Sequence, residues 1–265
     1  MYSTTYHRAA SIAEAAQLIK QGDAKFLAGG MTLIPAMKTR LAAPSDLVDI
    51  GRIAELKGVT VSGSTITIGA GTTHAEVAAD AALKAACPAL SRLAGMIGDP
   101  HVRHMGTIGG SIANNDPAAD YPAALLALAG TIVTDQREIS ADEFFTGQFE
   151  TALEEGEIIT AVRFTAPDKA AYEKFPNPAS RYAIVGVFVA KGAGGTRAAV
   201  TGAGDDGVFR SSEIESALAS NFDASALQGL TVPADNLMTD IHASAEYRAN
   251  LIAVMARRAV ARANA

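Results

Sequence analysis

The chain has 265 residues, of which 49% are hydrophobic and 19% charged, enough length and apolar content to bury more than one core and to exclude a disordered class. Its 22 Lys and Arg are scattered and outweighed by 28 Asp and Glu, for a formal charge of −6, so no basic footprint for nucleic acid is present. With no leader pattern and no apolar run of about 18 residues, a soluble cytoplasmic chain is expected; its single cysteine, Cys87, excludes an internal disulfide, and an iron–sulfur cluster needs about four thiolates.

Ser11 to Gln21 reads as a first helix, with Ser11 as N-cap, Glu14 at the capping-box position and Gly22 as its stop. Lys25-Phe26-Leu27 is a short strand entering the stretch Leu27-Ala28-Gly29-Gly30-Met31-Thr32-Leu33-Ile34. Thr32 to Leu41 reads as a helix whose start faces that glycine pair, an orientation that favours a phosphate. Asp46 to Ile50 is a strand, and Gly58 to Gly69 is a hairpin turning at Ser62-Gly63-Ser64. From His74 to Met96 the pattern is helical, split in two by Pro88, and Cys87 beside that proline reads as a packed hydrophobe.

A second glycine pair lies in Gly106-Thr107-Ile108-Gly109-Gly110-Ser111, followed by Asp120. Glycines there permit positive φ and close backbone approach to an anion, Thr107 and Ser111 supply hydroxyls, and Asp120 accepts from sugar hydroxyls. Each feature has a plainer reading: a glycine pair is also a common turn, and Asp120 before Pro122 is also a helix N-cap. Two such loops after apolar segments favour two walls of one phosphate cradle. A helix from Tyr121 to Ala129 and a strand at Thr131 to Thr134 continue an α/β alternation. Composition shifts at Phe164 to Lys169, taken as a domain boundary. Beyond it, strands Tyr182 to Lys191 and Thr196 to Gly202 join through a glycine-rich turn, and helices Ser211 to Ala219 and Ala243 to Ala263 are expected on one face of their sheet.

The two glycine stretches, with Leu47-Val48-Asp49-Ile50, Ile68-Gly69-Ala70-Gly71-Thr72-Thr73 and Gly98-Asp99-Pro100-His101-Val102-Arg103 between and around them, resemble the FAD-binding medium subunit of molybdenum hydroxylases of the carbon monoxide dehydrogenase and xanthine dehydrogenase type. The resemblance spans essentially the whole chain. It implies an α/β plus α+β fold: a two-subdomain FAD-binding domain of the PCMH type over 1–166, divided at about 57 and 58, then a C-terminal sheet-and-helix domain over 167–265. It implies non-covalent FAD, with pyrophosphate and ribityl contacts at Leu27, Ala28, Gly29, Gly30, Met31, Thr32, Leu33 and Ile34 and at Gly106, Thr107, Ile108, Gly109, Gly110 and Ser111. Asp120 is then on polyol or ribose hydroxyls, Ile97 and Ile159 against the cofactor or in plain core packing, Lys174 near the flavin and Tyr182 over its ring.

The resemblance also implies that molybdopterin and [2Fe–2S] clusters sit on partner subunits, a large and a small one, in a heterotrimer or its dimer. Two departures are visible. Met31 stands where many members carry His, Gln or Asn, and a thioether cannot donate to phosphate; the inserted cysteine cluster of one branch is absent. Rival chemistries fare worse: neither glycine pair is Gly-x-Gly-x-x-Gly, no Walker lysine or Gly-x-Ser-x-Gly elbow occurs, and His101 and His104 lack metal-ligand spacing. His74 and His242 read as a loop and a surface residue. No catalytic residue is assigned, since a flavin carries its own redox chemistry; a self-contained flavin oxidoreductase and a non-catalytic nucleotide-binding scaffold are the alternatives.

Overall fold

The computed structural model describes residues 1–265. The chain begins with β1 (Thr5–Arg8), α1 (Ile12–Leu18), β2 (Ala24–Leu27), α2 (Leu33–Lys38) and β3 (Asp46–Asp49). The strands pair in parallel in the order β1-β3-β2, which demands helical crossovers and sends the loops after β2 and β3 to one edge of the sheet. Ser11 caps α1 by accepting from the Glu14 N–H, but the Glu14 carboxylate takes the N–H of Ala10 rather than that of Ser11, so the expected capping box is only half formed. Ala15, Val48, Ile53 and Leu56 fill the small core beneath.

A second lobe follows: β4 (Val59–Ser62), β5 (Thr65–Gly69), α3 (His74–Ala79), α4 (Ala81–Ala86), α5 (Pro88–Gly95), α6 (Pro100–Met105), α7 (Ile108–Asn114), α8 (Asp120–Ala127), β6 (Thr131–Thr134), β7 (Glu138–Ser140), α9 (Ala141–Phe144), β8 (Phe145–Gly147), β9 (Glu150–Thr151) and β10 (Ile159–Thr165). Its main sheet is antiparallel, β4-β5-β10-β6-β7. Strand β10, central and alternating with Val162 and Phe164 inward, was not foreseen. The segment expected as two helices around Pro88 is three, because Asp80 takes extended backbone and its side chain caps α4 through the Leu83 N–H. Leu90 and Leu93 on α5 are fully buried, each worth about 1.5–3 kcal/mol of transfer free energy.

The last segment comprises β11 (Lys169–Pro176), β12 (Ala183–Gly192), β13 (Gly195–Gly204), β14 (Gly207–Arg210), α10 (Ser212–Leu218) and α11 (Ala245–Ala263), the strands forming one antiparallel sheet in chain order. Helices α10 and α11 cover one face, over Val187, Val189 and Val200, as expected. The other face, with Tyr172, Phe188 and Ala199, joins the core of the second lobe. Both faces of β12 are therefore buried, which explains its unbroken apolar run. Arg248 of α11, itself buried, donates to the carbonyls of Ile184 and Gly202 at 2.6 and 2.5 Å and pairs with Asp240, pinning the helix to the sheet.

Candidate functional site

A cleft of about 760 Å³ runs along the carboxyl end of the parallel sheet, between it, the second lobe and the 179–182 segment. That edge is where open α/β sheets bind ligands, and the volume suits a large cofactor. Leu27, Ala28, Gly29, Gly30, Met31, Thr32 and Leu33 form one wall; Gly106, Thr107, Gly109, Gly110, Ser111 and Asp120 form the facing one, with Ile97, Ile159 and Tyr182 completing it. Ile34, Ile108 and Lys174 do not line it: Ile108 is fully buried in the core of the second lobe, Ile34 leans on Gly30, and Lys174 lies behind Asp120. The two glycine loops meet directly, since a Cβ on Gly29 would stand 1.9 Å from the Met105 carbonyl oxygen.

The walls divide the work differently from the expectation. Gly109 and Gly110 are not in a positive-φ loop but in the first turn of α7, capped by Thr107, whose hydroxyl oxygen accepts from Gly110. Ile108 and Gly109 donate their N–H groups to the carbonyls of Thr72 and Ala70, so the second glycine pair has no row of free N–H groups for an anion. The reason is tight packing: a Cβ on Gly109 would meet Ala70 at 2.6 Å. The first loop behaves the other way. Gly30 has φ +71, α2 begins without a side-chain cap, and the N–H groups of Gly29, Gly30, Met31, Thr32 and Leu33 make no bond within the chain. Such a run of free N–H groups is available to an anion, and Met31 adds a backbone donor whatever its side chain. Opposite it, the Ser111 hydroxyl is unengaged and that of Thr107 keeps its proton to donate.

Asp120 lines the cleft but is only 5% exposed, and it is not an N-cap. Ala119 takes the cap position, and the Asp120 carboxylate is buried, accepting from the Tyr172 hydroxyl and, at 3.1 Å, from Lys174. Lys174 also donates to the Met96 carbonyl at 3.0 Å. Burial pushes the Asp120 carboxyl upward, with the Lys174 ammonium and Tyr172 opposing. Tyr182 is half exposed at the rim, and Arg181 beside it holds φ 64, an uncommon conformation for a side-chain-bearing residue.

Several lining residues carried no readable motif. His74, expected in a loop, opens α3 and is buried, its imidazole held down to about 4 by burial and by Arg103. Glu157 is buried below the cleft, where Arg137 grips both carboxylate oxygens at 3.0 and 2.9 Å and holds the group down at about 2. Since that value lies below the ordinary 4.5, its contribution is complete above about pH 4.5 and lost as pH falls through about 2. Glu157→Gln is expected to lose on the order of 2 kcal/mol at pH 7, discounted for the exposed Arg137, with the deficit shrinking as urea melts are taken to lower pH.

These features define a class: a mixed α/β protein with a large cleft, one wall of which carries a run of unpartnered backbone N–H groups. The family described as the FAD binding domain in molybdopterin dehydrogenase matches residues 2–167. The carbon monoxide dehydrogenase medium chain of Afipia carboxidovorans is 38% identical over 285 residues, covering 99% of this chain and 97% of that one. The nicotine 6-hydroxylase medium subunit of Paenarthrobacter nicotinovorans is 32% identical, with 98% and 97% covered. The solved structure of reconstituted CO dehydrogenase from Oligotropha carboxidovorans superposes with a TM-score of 0.88 at 36% identity, covering 99% of this chain and 98% of that one. The chain belongs to the family of FAD-binding domains of molybdopterin dehydrogenases, and is an oxidoreductase component. No helix is long and apolar enough to cross a membrane.

Proposed function

We propose that the chain is the FAD-binding, electron-transferring medium subunit of a cytoplasmic heterotrimeric molybdenum hydroxylase, carbon monoxide dehydrogenase-like in its organisation. A small subunit with [2Fe–2S] clusters delivers electrons that a large molybdopterin subunit takes from substrate, and the medium subunit passes them to an external acceptor. The observation that carries this reading is the row of unpaired N–H groups from Gly29 to Leu33 facing the hydroxyls of Thr107 and Ser111, a donor set that fits a pyrophosphate. Full-length similarity to medium chains supports the partner assignment. FAD, when bound, supplies the one- and two-electron chemistry.

The chain's own residues bind and orient. Leu27 to Leu33 hold phosphate through the backbone, Thr107 and Ser111 donate hydroxyls, Ile97 and Ile159 press on apolar parts of the cofactor, and Tyr182 covers the ring. Ile34, Ile108 and Lys174 act from behind the wall, Lys174 by fixing Asp120. Residues 1–166, as two subdomains over about 1–57 and 58–166, form the cofactor domain, and 167–265 the C-terminal one. The relatives' names speak of carbon monoxide and of nicotine for similar medium chains, which supports substrate choice residing on the large subunit.

The test is cofactor content and autonomy. Purified with its partner subunits, the chain is expected to carry about one FAD, released whole on denaturation. FAD-loaded but alone, it is expected to turn over no aldehyde, purine or other organic substrate. Sustained turnover by the lone chain would make it a self-contained flavoenzyme, and absence of flavin from the complex would favour the scaffold reading.

A further inference from the structure

His74 borders the same cleft yet has no part in the contacts above. The residue is only 4% exposed. Its Nδ1 is sealed from solvent with no partner, and the ring lies against Tyr121, centroids 5.4 Å apart, whose hydroxyl is likewise sealed and unpartnered. A buried polar atom left unpaired costs about 1–3 kcal/mol, so a residue chosen only to fill this space would be apolar. Nε2 is different: it has no partner within the chain yet is not sealed, and a Cβ at position 106 would stand 2.6 Å from it, so only glycine there leaves room beside that nitrogen at the start of α7. The imidazole is neutral, as its lowered pKa requires, and has one N–H to give.

We propose that His74 is a further FAD-positioning residue, donating its Nε2–H to a phosphate oxygen of the cofactor beside Gly106 and Thr107. The proposal deepens the flavoprotein reading and rests on it. Phosphate oxygens only accept, so the proton must sit on Nε2. That tautomer leaves Nδ1 a bare acceptor beside the Tyr121 ring, with no N–H stranded there. The other tautomer would aim a lone pair at the anion and seal an N–H inside the wall.

Three substitutions in the assembled complex separate the roles. Glutamine keeps an N–H near the place of Nε2, asparagine moves it toward Nδ1, and phenylalanine keeps the ring shape without either. By fluorescence quenching, FAD Kd is expected to rise at least about tenfold for His74→Phe and His74→Asn and to stay within about threefold for His74→Gln. In FAD-loaded wild type, long-range ¹⁵N–¹H spectra are expected to place the proton on Nε2; this measurement decides the matter even if a variant fails to fold. An unchanged Kd in the phenylalanine variant, or a proton on Nδ1 in the loaded wild type, overturns the proposal. Failure of the wild-type complex to bind FAD overturns the flavoprotein reading itself, and the His74 role with it.

Discussion

Gly110→Val is expected to weaken FAD binding by at least about 100-fold, or about 2.7 kcal/mol, while leaving the thermal midpoint of the apo chain nearly unchanged. A Cβ at Gly110 meets only the Thr107 hydroxyl, at 3.0 Å, with nothing else of the protein in contact, so the added branches occupy the cleft rather than the core. Helix propensity does not oppose the change, since glycine is the poorer helix former. Gly109→Val is the control: its Cβ collides with Ala70, at 2.6 Å from the side chain and 2.8 Å from the carbonyl oxygen, so that variant is expected to lose stability before it loses ligand. Titration with FAD and melting of both apo proteins separates the two effects. Equal loss of stability in both variants would show that the α7 wall does not face the ligand.

Lys174→Met is expected to be the most damaging single change to the fold near the site, about 3–5 kcal/mol at pH 7, because it leaves the Asp120 carboxylate buried without its cation. The pH dependence has a definite sign. Burial already raises the Asp120 carboxyl above its ordinary 3.8, and removing Lys174 raises it further. The folded state then binds the proton more tightly than the unfolded one, so the defect is smallest below about pH 3.8 and grows as pH rises through the folded-state value. Asp120→Leu combined with Lys174→Met, which removes both charges, is expected to recover most of the loss, and chemical denaturation of the two singles and the double measures the coupling. FAD affinity of Asp120→Ala is expected to fall by about 1–3 kcal/mol if the carboxylate also receives sugar hydroxyls.

Much of the architecture was legible because it rests on local periodicity. The long α11, the β4-β5 hairpin and the β12-β13 pair show themselves in alternating or 3.6-spaced apolar residues and in turn glycines. Strands β1, β7 and β9 are too short to carry a period, and β11 and β14 show their apolar faces only once the sheet is paired. The glycine stretches marked both walls of the cleft, but their chemistry was transposed: free N–H groups belong to Gly29–Leu33, while the α7 turn has given its own to Ala70, Thr72 and Thr107.

By itself, then, the sequence determined the α/β order of the chain, the absence of a second thiol with which Cys87 could pair, and the two segments that border the cleft, since backbone freedom and chain polarity are local properties of those residues. Only the tertiary structure decided which N–H groups remain free, that Asp120 faces Tyr172 and Lys174 more than 50 positions away, and that His74 lies sealed against Tyr121. Hydrogen-bond satisfaction and burial depend on partners distant in sequence, and no local pattern specifies which acceptor will claim a given donor once the lobes close.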